Sequence, residues 1–359
     1  MSKTITFQDV AKAAAVSVAT VSRIVRGSAR VSPELEARVR ASALKMGMNL
    51  SERGSTRIAG FLLSNRRILH AFHSRVMLGA EEYFTALDYN LMFLSLKYDA
   101  KVVLQDLHMP TILQHRGLVC GYILAARISP NLLEYLSHNG IPVAVCGNHV
   151  LGEWQKDRYD VVWFDDTQGT YELTRYLLSL GHQDIWFIGH SRLPWSARRK
   201  VGYSRAMVEA GLPLHISEID SDDYFEVGYL ATKSVLNQGE PLTAILAGAD
   251  SIAQGANRAL NDSGLQIPRD VSLVGFDDIE GAFLHPPLTT VAAFPEQIGK
   301  QLAQMLLNRI AHPDLPPQSH TIPTRLVKRE SHRALRVESE IQSEVHDHVG
   351  RLTFDSADK

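Results

Sequence analysis

The side chains with the clearest chemical purpose cluster in residues 17–26, SVATVSRIVR. Ser17 can cap a helix in which Val21, Ile24 and Val25 turn inward, leaving Val18, Ala19, Ser22, Arg23 and Arg26 on its other sides. Hydroxyls both donate and accept hydrogen bonds, and a guanidinium donates two in parallel. Such a face suits phosphate oxygens and the O6 and N7 edge of guanine. Catalysis has no comparable cluster: the chain contains no HExxH, no GxSxG, no P-loop and no GxGxxG after a strand. His70 with His73, and His346 with His348, are spaced like metal pairs, yet they stand in loop and tail positions where histidines are usually solvated. No metal and no cofactor is expected, and the protein is not expected to be an enzyme. Cys120 and Cys146 lie in apolar runs that read as buried strands, so free thiols in a reducing compartment are expected.

A compact unit must hold that helix. Phe7, Val10 and Ala14 repeat as one apolar face, and Thr6 with Asp9 has the spacing of a capping box, so a first helix begins there. After the second helix, Ser32-Pro33-Glu34 supplies a cap and an N-terminal proline for a third carrying Leu35, Val39, Ala43 and Leu44. The spacing predicts a three-helix head over residues 1–46 and a linker over 47–57 in which Gly47, Gly54 and Ser55 favour flexibility.

Charge divides the chain at the same place. Residues 1–57 hold ten Lys/Arg against four acids, whereas the remainder holds 27 basic and 35 acidic groups. The net charge of -2 is therefore an average over a +6 head and a -8 remainder, and it does not argue against nucleic acid. No stretch approaches the ~20 apolar residues of a membrane span, and the N-terminus lacks an uninterrupted apolar run of the export type. A cytoplasmic, nucleoid-associated protein without a membrane partner is expected.

From residue 58 onward, apolar runs of strand length alternate with amphipathic helices. Strands are expected at 58–63, 91–96, 118–124, 142–146, 184–188, 243–247 and 271–275. Helices are expected at 75–87, 167–180, 198–210, 229–236 and 251–263. Such alternation implies parallel sheets covered on both faces, and this many units predicts two doubly wound subdomains with a ligand cleft. Trp154, Trp163, Trp186 and Trp195 read as packing residues, with Trp195 beside Arg198 able to flank that cleft.

The run DVAKAAAVSVATVSRIVRG from Asp9, followed by VSPE from Val31, resembles the DNA-binding head of the LacI/GalR family of bacterial transcription regulators. The resemblance continues to about Leu335. It rests on Gly79-Ala-Glu, Gly121-Tyr-Ile-Leu, Gly140-Ile-Pro-Val, Phe164-Asp-Asp, Leu180-Gly-His, PRDVSLVGFDD from Pro268 and PPLTTV from Pro286. It implies an all-α helix-turn-helix head joined to an α/β body like a type I periplasmic binding protein. The body would span 58–335, in subdomains of about 58–164 plus 292–320 and 165–291 plus 321–335. By the same resemblance, Thr6, Ser17, Val18, Ala19, Thr20, Ser22, Arg23 and Arg26 would contact a double-stranded operator. Ala15 stands where the family usually has Gly, and Arg26 where it usually has Asn.

The linker departs further from the family pattern. The family's hinge helix drives a leucine into the minor groove, but LKMGMNLSERGSTRI from Leu44 lacks its Pro-Asn and Ala-Arg. Leu50 is expected to pack against the head, and operator binding is expected to depend less on bending.

In the body, the resemblance implies effector contacts at His70, Phe72, Arg127, Arg199, Asp223 (or Tyr224 if the register slips by one), Asp250 and Asp277; a helix cap or an interdomain salt bridge is the alternative for Arg199, Asp250 and Asp277, and spacing favours effector contact. Two arginines and several histidines suit a sugar acid or sugar phosphate. A neutral sugar stays open because the aspartates offset that charge, and a nucleoside-type ligand is a further alternative. The reading is an effector-responsive repressor working as a homodimer, with residues 75–87 and 283–288 as interface candidates. The alternatives are a cytoplasmic sensor with impaired DNA binding and a solute-binding protein for transport; the basic head and the missing export signal oppose the latter. In residues 336–359, Val337, Ile341, Val345 and Val349 form a stripe too short for a coiled coil, and disorder is expected there.

Overall fold

The computed structural model describes residues 5–26, 31–48, 50, 57–66, 69–114, 118–153 and 158–335. Residues 49 and 51–56 of the expected linker, Trp154 and the tail from 336 lie outside that set. Among the described residues, no helix is long and apolar enough to cross a membrane.

The head comprises α1 (Phe7–Ala13), α2 (Val18–Arg26) and α3 (Pro33–Lys45). Each start is fixed by a local hydrogen bond. Thr6 and Asp9 form a reciprocal capping box on α1. Ser17 Oγ accepts from Thr20 N at 3.0 Å, and Ser32 Oγ accepts from Leu35 N at 3.3 Å with Pro33 in the first turn. Val10, Ala11, Ala14, Val21, Ile24, Val39, Ala43, Met48 and Leu50 form one buried core. Leu44 corrects the expected stripe: it is 69% exposed, because Val39 and Ala43 set the inward face of α3 and the next residue turns about 100° away. Leu50 is buried at 3% in the head core, as expected of a residue that packs there.

Beyond the head, the chain forms two compact units that exchange at 163/164, 295/296 and 320/321. The sheet of unit 1 uses β1 (Ile58–Ser64), β2 (Asn90–Leu96), β3 (Tyr122–Ala126), β4 (Val143–Cys146) and β5 (Asp160–Phe164), with β11 (Ser319–Ile322) at its edge, in the order β11-β5-β4-β3-β1-β2. Ladders β1 to β2, β1 to β3, β3 to β4 and β4 to β5 are all parallel. Helices α4 (Ala71–Thr85), α5 (Pro130–His138) and α10 (Pro295–Ala311) accompany it. Arg309 on α10 grips Asp160 of β5 through Nε at 2.7 Å and Nη2 at 3.0 Å, a bidentate pair buried with the strand.

Unit 2 repeats this winding. Strands β6 (Ile185–His190), β7 (His215–Ile219), β8 (Ala244–Ala247) and β9 (Ser272–Val274) form a parallel sheet in the order β7-β6-β8-β9. Its helices are α6 (Asp166–Ser179), α7 (Pro194–Glu209), α8 (Tyr224–Gln238) and α9 (Asp250–Asn261), and β10 (Thr290–Ala292) pairs antiparallel with β12 (Arg325–Val327).

Some helices touch backbone to backbone. A Cβ on Gly79 of α4 would strike the Glu296 carbonyl, and one on Gly299 of α10 would strike that of Val76. In unit 2, Gly228 faces the Ile252 carbonyl and Gly255 faces that of Phe225 in the same reciprocal way.

Several boundaries move from expectation. The third strand begins at Tyr122 rather than 118, because Leu118 is exposed and pairing with β1 starts at Tyr122 opposite Gly60. Helix α8 begins at Tyr224 rather than 229, and α7 at Pro194 rather than 198. Strands β5, β7, β10, β11 and β12 are not among the expected strands. Both cysteines are free thiols: Cys146 is buried in β4, and Cys120 is half-buried just before β3.

Candidate functional sites

On the head, α2 presents Val18 (44% exposed), Ala19 and Arg23 to solvent, with Thr20 and Ser22 half-buried and Val21 and Ile24 hidden. Arg26 is the last residue of this helix. Two of the expected contact residues have internal tasks. Thr6 Oγ1 donates to Asp9 Oδ2 at 2.7 Å, and Ser17 Oγ, the cap of α2, also lies 2.8 Å from Thr20 Oγ1.

The turn between α1 and α2 holds Ala15 at φ +53°, a left-handed conformation that costs a Cβ-bearing residue roughly 1–2 kcal/mol. Glycine recovers most of that but loses about 0.4–1 kcal/mol through its freer unfolded chain. Ala15→Gly is therefore expected to stabilise the head by ~0.5 kcal/mol, measurable as a higher midpoint in urea; a lower midpoint would contradict the strain.

In unit 2, Arg199 is the centre of the carboxyl-end edge. It is 2% exposed, and its guanidinium carbon lies 3.7 Å from the Phe276 ring centroid, 4.8 Å from Trp195 and 5.9 Å from Phe164. Nη2 donates to Asp277 Oδ1 at 2.8 Å and Nη1 donates to the Gly248 carbonyl, while Nε is buried without a hydrogen-bond partner among the described residues. Asp277 and Asp278 sit at φ +116° and +56°, a pair of strained residues immediately after Phe276. Arg329 Nη2 holds Asp278 at 2.6 Å, and Arg198 Nε holds the buried Asp166 at 2.8 Å. Burial raises the Asp277 carboxyl above its ordinary value, against the opposing pull of Arg199.

Asp250 opens α9 and is fully occupied. Its Oδ1 accepts from Thr290 Oγ1 at 2.6 Å, and its Oδ2 accepts from the amides of Ile279 at 2.9 Å and Gly281 at 3.2 Å. Burial, then the nearby Asp277, push its carboxyl up to about 7, although these hydrogen bonds favour the ionised form. The folded value exceeds the unfolded one, so this stability is complete below about pH 4 and is lost as pH rises to about 7, at up to about 1.4 kcal/mol per unit. The thermal midpoint is expected to be higher at pH 5 than at pH 8, and Asp250→Asn should flatten that slope. An unchanged slope in the variant would assign the dependence to other groups.

The corresponding edge of unit 1 is rich in imidazole. His70 precedes α4 and lies 2.6 Å from Arg66 Nη2 through Nε2. The His73 ring centroid is 5.0 Å from His149 and 6.3 Å from His70, and Phe72 meets His73 and His149 edge-on at 5.8 and 5.6 Å. His149, in the turn after β4, accepts through Nδ1 from the Ala126 amide at 3.2 Å. Ala126 itself is at φ +72°, and the half-buried Arg127 follows it. Ser64 and Ser129 flank Tyr98 Oη at 2.9 and 2.7 Å. Among the described residues, no group of three His, Cys, Asp or Glu side chains is placed so that it could hold a metal ion.

Residues 6–47 match the family described as bacterial regulatory proteins, lacI family, and residues 174–332 match the periplasmic binding protein-like domain. The ribose operon repressor of Haemophilus influenzae is 31% identical over 346 residues, spanning 92% of this chain and 99% of that protein. The chain belongs to the LacI family. The repressor PurR of Shigella sonnei is 30% identical to this LacI-family chain, covering 91% of it and 96% of the relative. A LacI family regulator from Enterococcus faecium with bound ribose superposes with a TM-score of 0.67 at 26% identity, over 77% of this chain and all of that one. The helix-turn-helix head and the periplasmic-binding-protein-like body expected from the sequence are thus shown, and the LacI-family relatives are transcriptional repressors and not enzymes.

Within this LacI-family chain, the structure brings Arg199 and Asp277 together, and separately His70 and Phe72 with the turn at His149. Two other aspartates named as effector contacts also have internal hydrogen-bond partners. Asp223 caps α8, accepting from Phe225 N at 2.9 Å and Glu226 N at 3.4 Å, and Asp250 is committed to Thr290, Ile279 and Gly281. Sequence reasoning missed Arg66, His149 and Phe276. The signal available was positional only: Arg66 and His149 follow strand ends, and Phe276 precedes Asp277. Trp195 is buried, stacked on Arg199 and edge-on to Tyr224 at 5.3 Å; Trp186 is buried in β6 with Nε1 donating to the Pro241 carbonyl.

Proposed function

We propose that the chain is an effector-responsive repressor that binds operator DNA as a homodimer in the cytoplasm, on the nucleoid, and senses a small sugar-like metabolite. The observation carrying this reading is the exposed face of α2. Val18, Ala19 and Arg23 project from a helix whose start is capped and whose opposite side is locked into the head core. Two such heads related by a two-fold axis read paired half-sites, and residues 75–87 and 283–288 are the proposed interface segments. Phe283, 80% exposed, supports the second of these. Leu50 is proposed to serve the head core and not to wedge into DNA.

Effector contacts are proposed at Arg199 and Asp277 in unit 2 and at His70, Phe72 and Arg127 in unit 1. The ribose-bound relative supports a sugar-like ligand, and the aromatic faces around Arg199 suit the apolar side of such a ring.

Footprinting on genomic fragments tests the first half. Protection of a pseudopalindrome is expected, with affinity falling at least about ten-fold between 50 and 200 mM salt as counterions are released. No protection would leave a sensor that does not act on DNA, and salt-insensitive binding would contradict phosphate contacts by the head. Thermal-shift screening against sugars, sugar acids, sugar phosphates and nucleosides tests the second half.

A further inference from the structure

Asp250 is the first residue of α9, yet its carboxylate does not cap that helix. The N-cap position is Ala249, which makes no side-chain cap, and Asp250 reaches instead to amides 29 and 31 residues away. Its partners are all neutral: the hydroxyl of Thr290 and the backbone N–H groups of Ile279 and Gly281. The carboxylate sits directly on the backbone it holds, since a Cβ on Gly281 would lie 3.2 Å from Oδ2 and one on Gly275 would lie 2.8 Å from Oδ1. Burying a carboxylate at 2% exposure among neutral partners is costly, so the segment it ties down matters.

The same face of α9 supplies two more tethers. Gln254 and Asn257 follow Asp250 at i+4 and i+7, the spacing of one side of a helix. Gln254 Nε2 donates to Glu280 Oε2 at 2.8 Å, and Asn257 Nδ2 donates to the His285 carbonyl at 3.5 Å. The segment also closes on itself, because the Gly281 carbonyl accepts from the amide of Leu288 at 2.8 Å. Residues 279–285 are thus stitched to one helix along their length. What they present is Phe283, 80% exposed at the end of the short turn Gly281–Phe283. An aromatic ring that faces solvent adds little to the fold of its own chain. Set on an ordered turn it favours association, because a segment fixed before binding has less freedom left to lose.

We propose that Asp250 is a positioning residue: through the amides of Ile279 and Gly281 it fixes the 277–283 turn, and so sets Phe283 where a second copy of the chain docks. This rests on the homodimer reading above, in which residues 283–288 are an interface segment, and adds the group that orders that segment. Asp277 and Asp278, both at positive φ, open the same turn. Strained backbone persists only where its surroundings over-determine it, and the Asp250 bonds to the amides that follow supply such a restraint.

The test is a double-mutant cycle on the full chain at pH 8, where the Asp250 carboxyl, pushed up to about 7, is mostly ionised. Sedimentation reads self-association, and hydrogen exchange in peptides spanning 277–285 reads the order of the turn. Phe283→Ala is expected to weaken association at least about ten-fold, as loss of an aromatic anchor does. Asp250→Asn puts a donor where the two amides need an acceptor. It should weaken association by a similar factor and speed exchange in 277–285, and the double variant should fall within about two-fold of Phe283→Ala alone. Asp250→Ala, which cannot crowd the turn, serves in its place should the asparagine prevent folding, as judged by thermal midpoint. Thr290→Val removes the hydroxyl but keeps both amide bonds, so it should lower the thermal midpoint and leave association and exchange at the parent values. Additive losses in the double variant, unchanged exchange in Asp250→Asn, or association as weak in Thr290→Val as in Asp250→Asn overturns the proposal. A loss in Phe283→Ala without one in Asp250→Asn strikes the proposal alone. Unchanged association in Phe283→Ala strikes the interface reading, and the proposal with it.

Discussion

Arg23→Ala is expected to weaken operator binding by roughly 5- to 150-fold for each half-site, the worth of one bidentate contact to guanine, and a dimer loses that contact twice. Arg23 is exposed on α2, one residue before the buried Ile24, so its truncation removes no packing. The circular dichroism and thermal midpoint of the head should be unchanged. The loss should also be uneven across sequences. If Arg23 reads a base, the variant tolerates substitution at one operator position that the parent discriminates; if it touches phosphate, affinity falls uniformly and the salt slope drops by about one. Fluorescence anisotropy on a set of single-substituted operators separates the two. Unchanged affinity on every sequence would remove Arg23 from the interface.

The second large effect concerns the buried ion pair of unit 2. Asp277→Asn leaves Arg199, 2% exposed, charged and without its counter-ion, at an expected cost of about 3–5 kcal/mol. Arg199→Met is expected to cost less, because the stranded Asp277 can take up a proton; burial already raises its carboxyl above the ordinary value. The two variants should therefore differ in pH dependence. The cost of Arg199→Met should shrink from pH 8 to pH 5, while that of Asp277→Asn should not shrink, because it removes a carboxyl whose raised value adds stability at the lower pH. The double variant should lose less than the sum of the two. Urea unfolding at the two pH values measures all of this, and identical losses for Arg199→Met at both would show that Asp277 stays ionised. Both single variants should also lose the effector response proposed for this edge.

Legibility from sequence followed the range of the forces involved. The head was readable nearly residue by residue, because the caps at Thr6, Ser17 and Ser32 act over three positions. Its one misreading, Leu44, came from counting an apolar residue without its angle. In the body, strands such as β1 stand out because both faces are buried and the run is apolar throughout. Strand β7, HISEI, is half-buried along its whole length at a sheet edge and carries no such run.

The candidate sites divide in the same way. Arg199 was visible through its motif, but the occupation of Asp250 was not, because its partners Ile279, Gly281 and Thr290 come from 29 to 40 residues away. Nor could spacing join His73 to His149: they come from helix and turn segments that only the β1 to β3 to β4 ladder brings to one edge.

The reciprocal glycines carry a consequence for how the protein can deform. Where Gly79 and Gly299, or Gly228 and Gly255, let two helices meet at the carbonyl, there is no layer of side chains to act as a lubricant. A helix pair in backbone contact cannot ratchet by a rotamer change, and even a single methyl group at any of the four positions would act as a wedge. Shape change within a unit is thereby diverted to the segments at the strand ends, where Ala126, Asp277 and Asp278 already hold strained backbone.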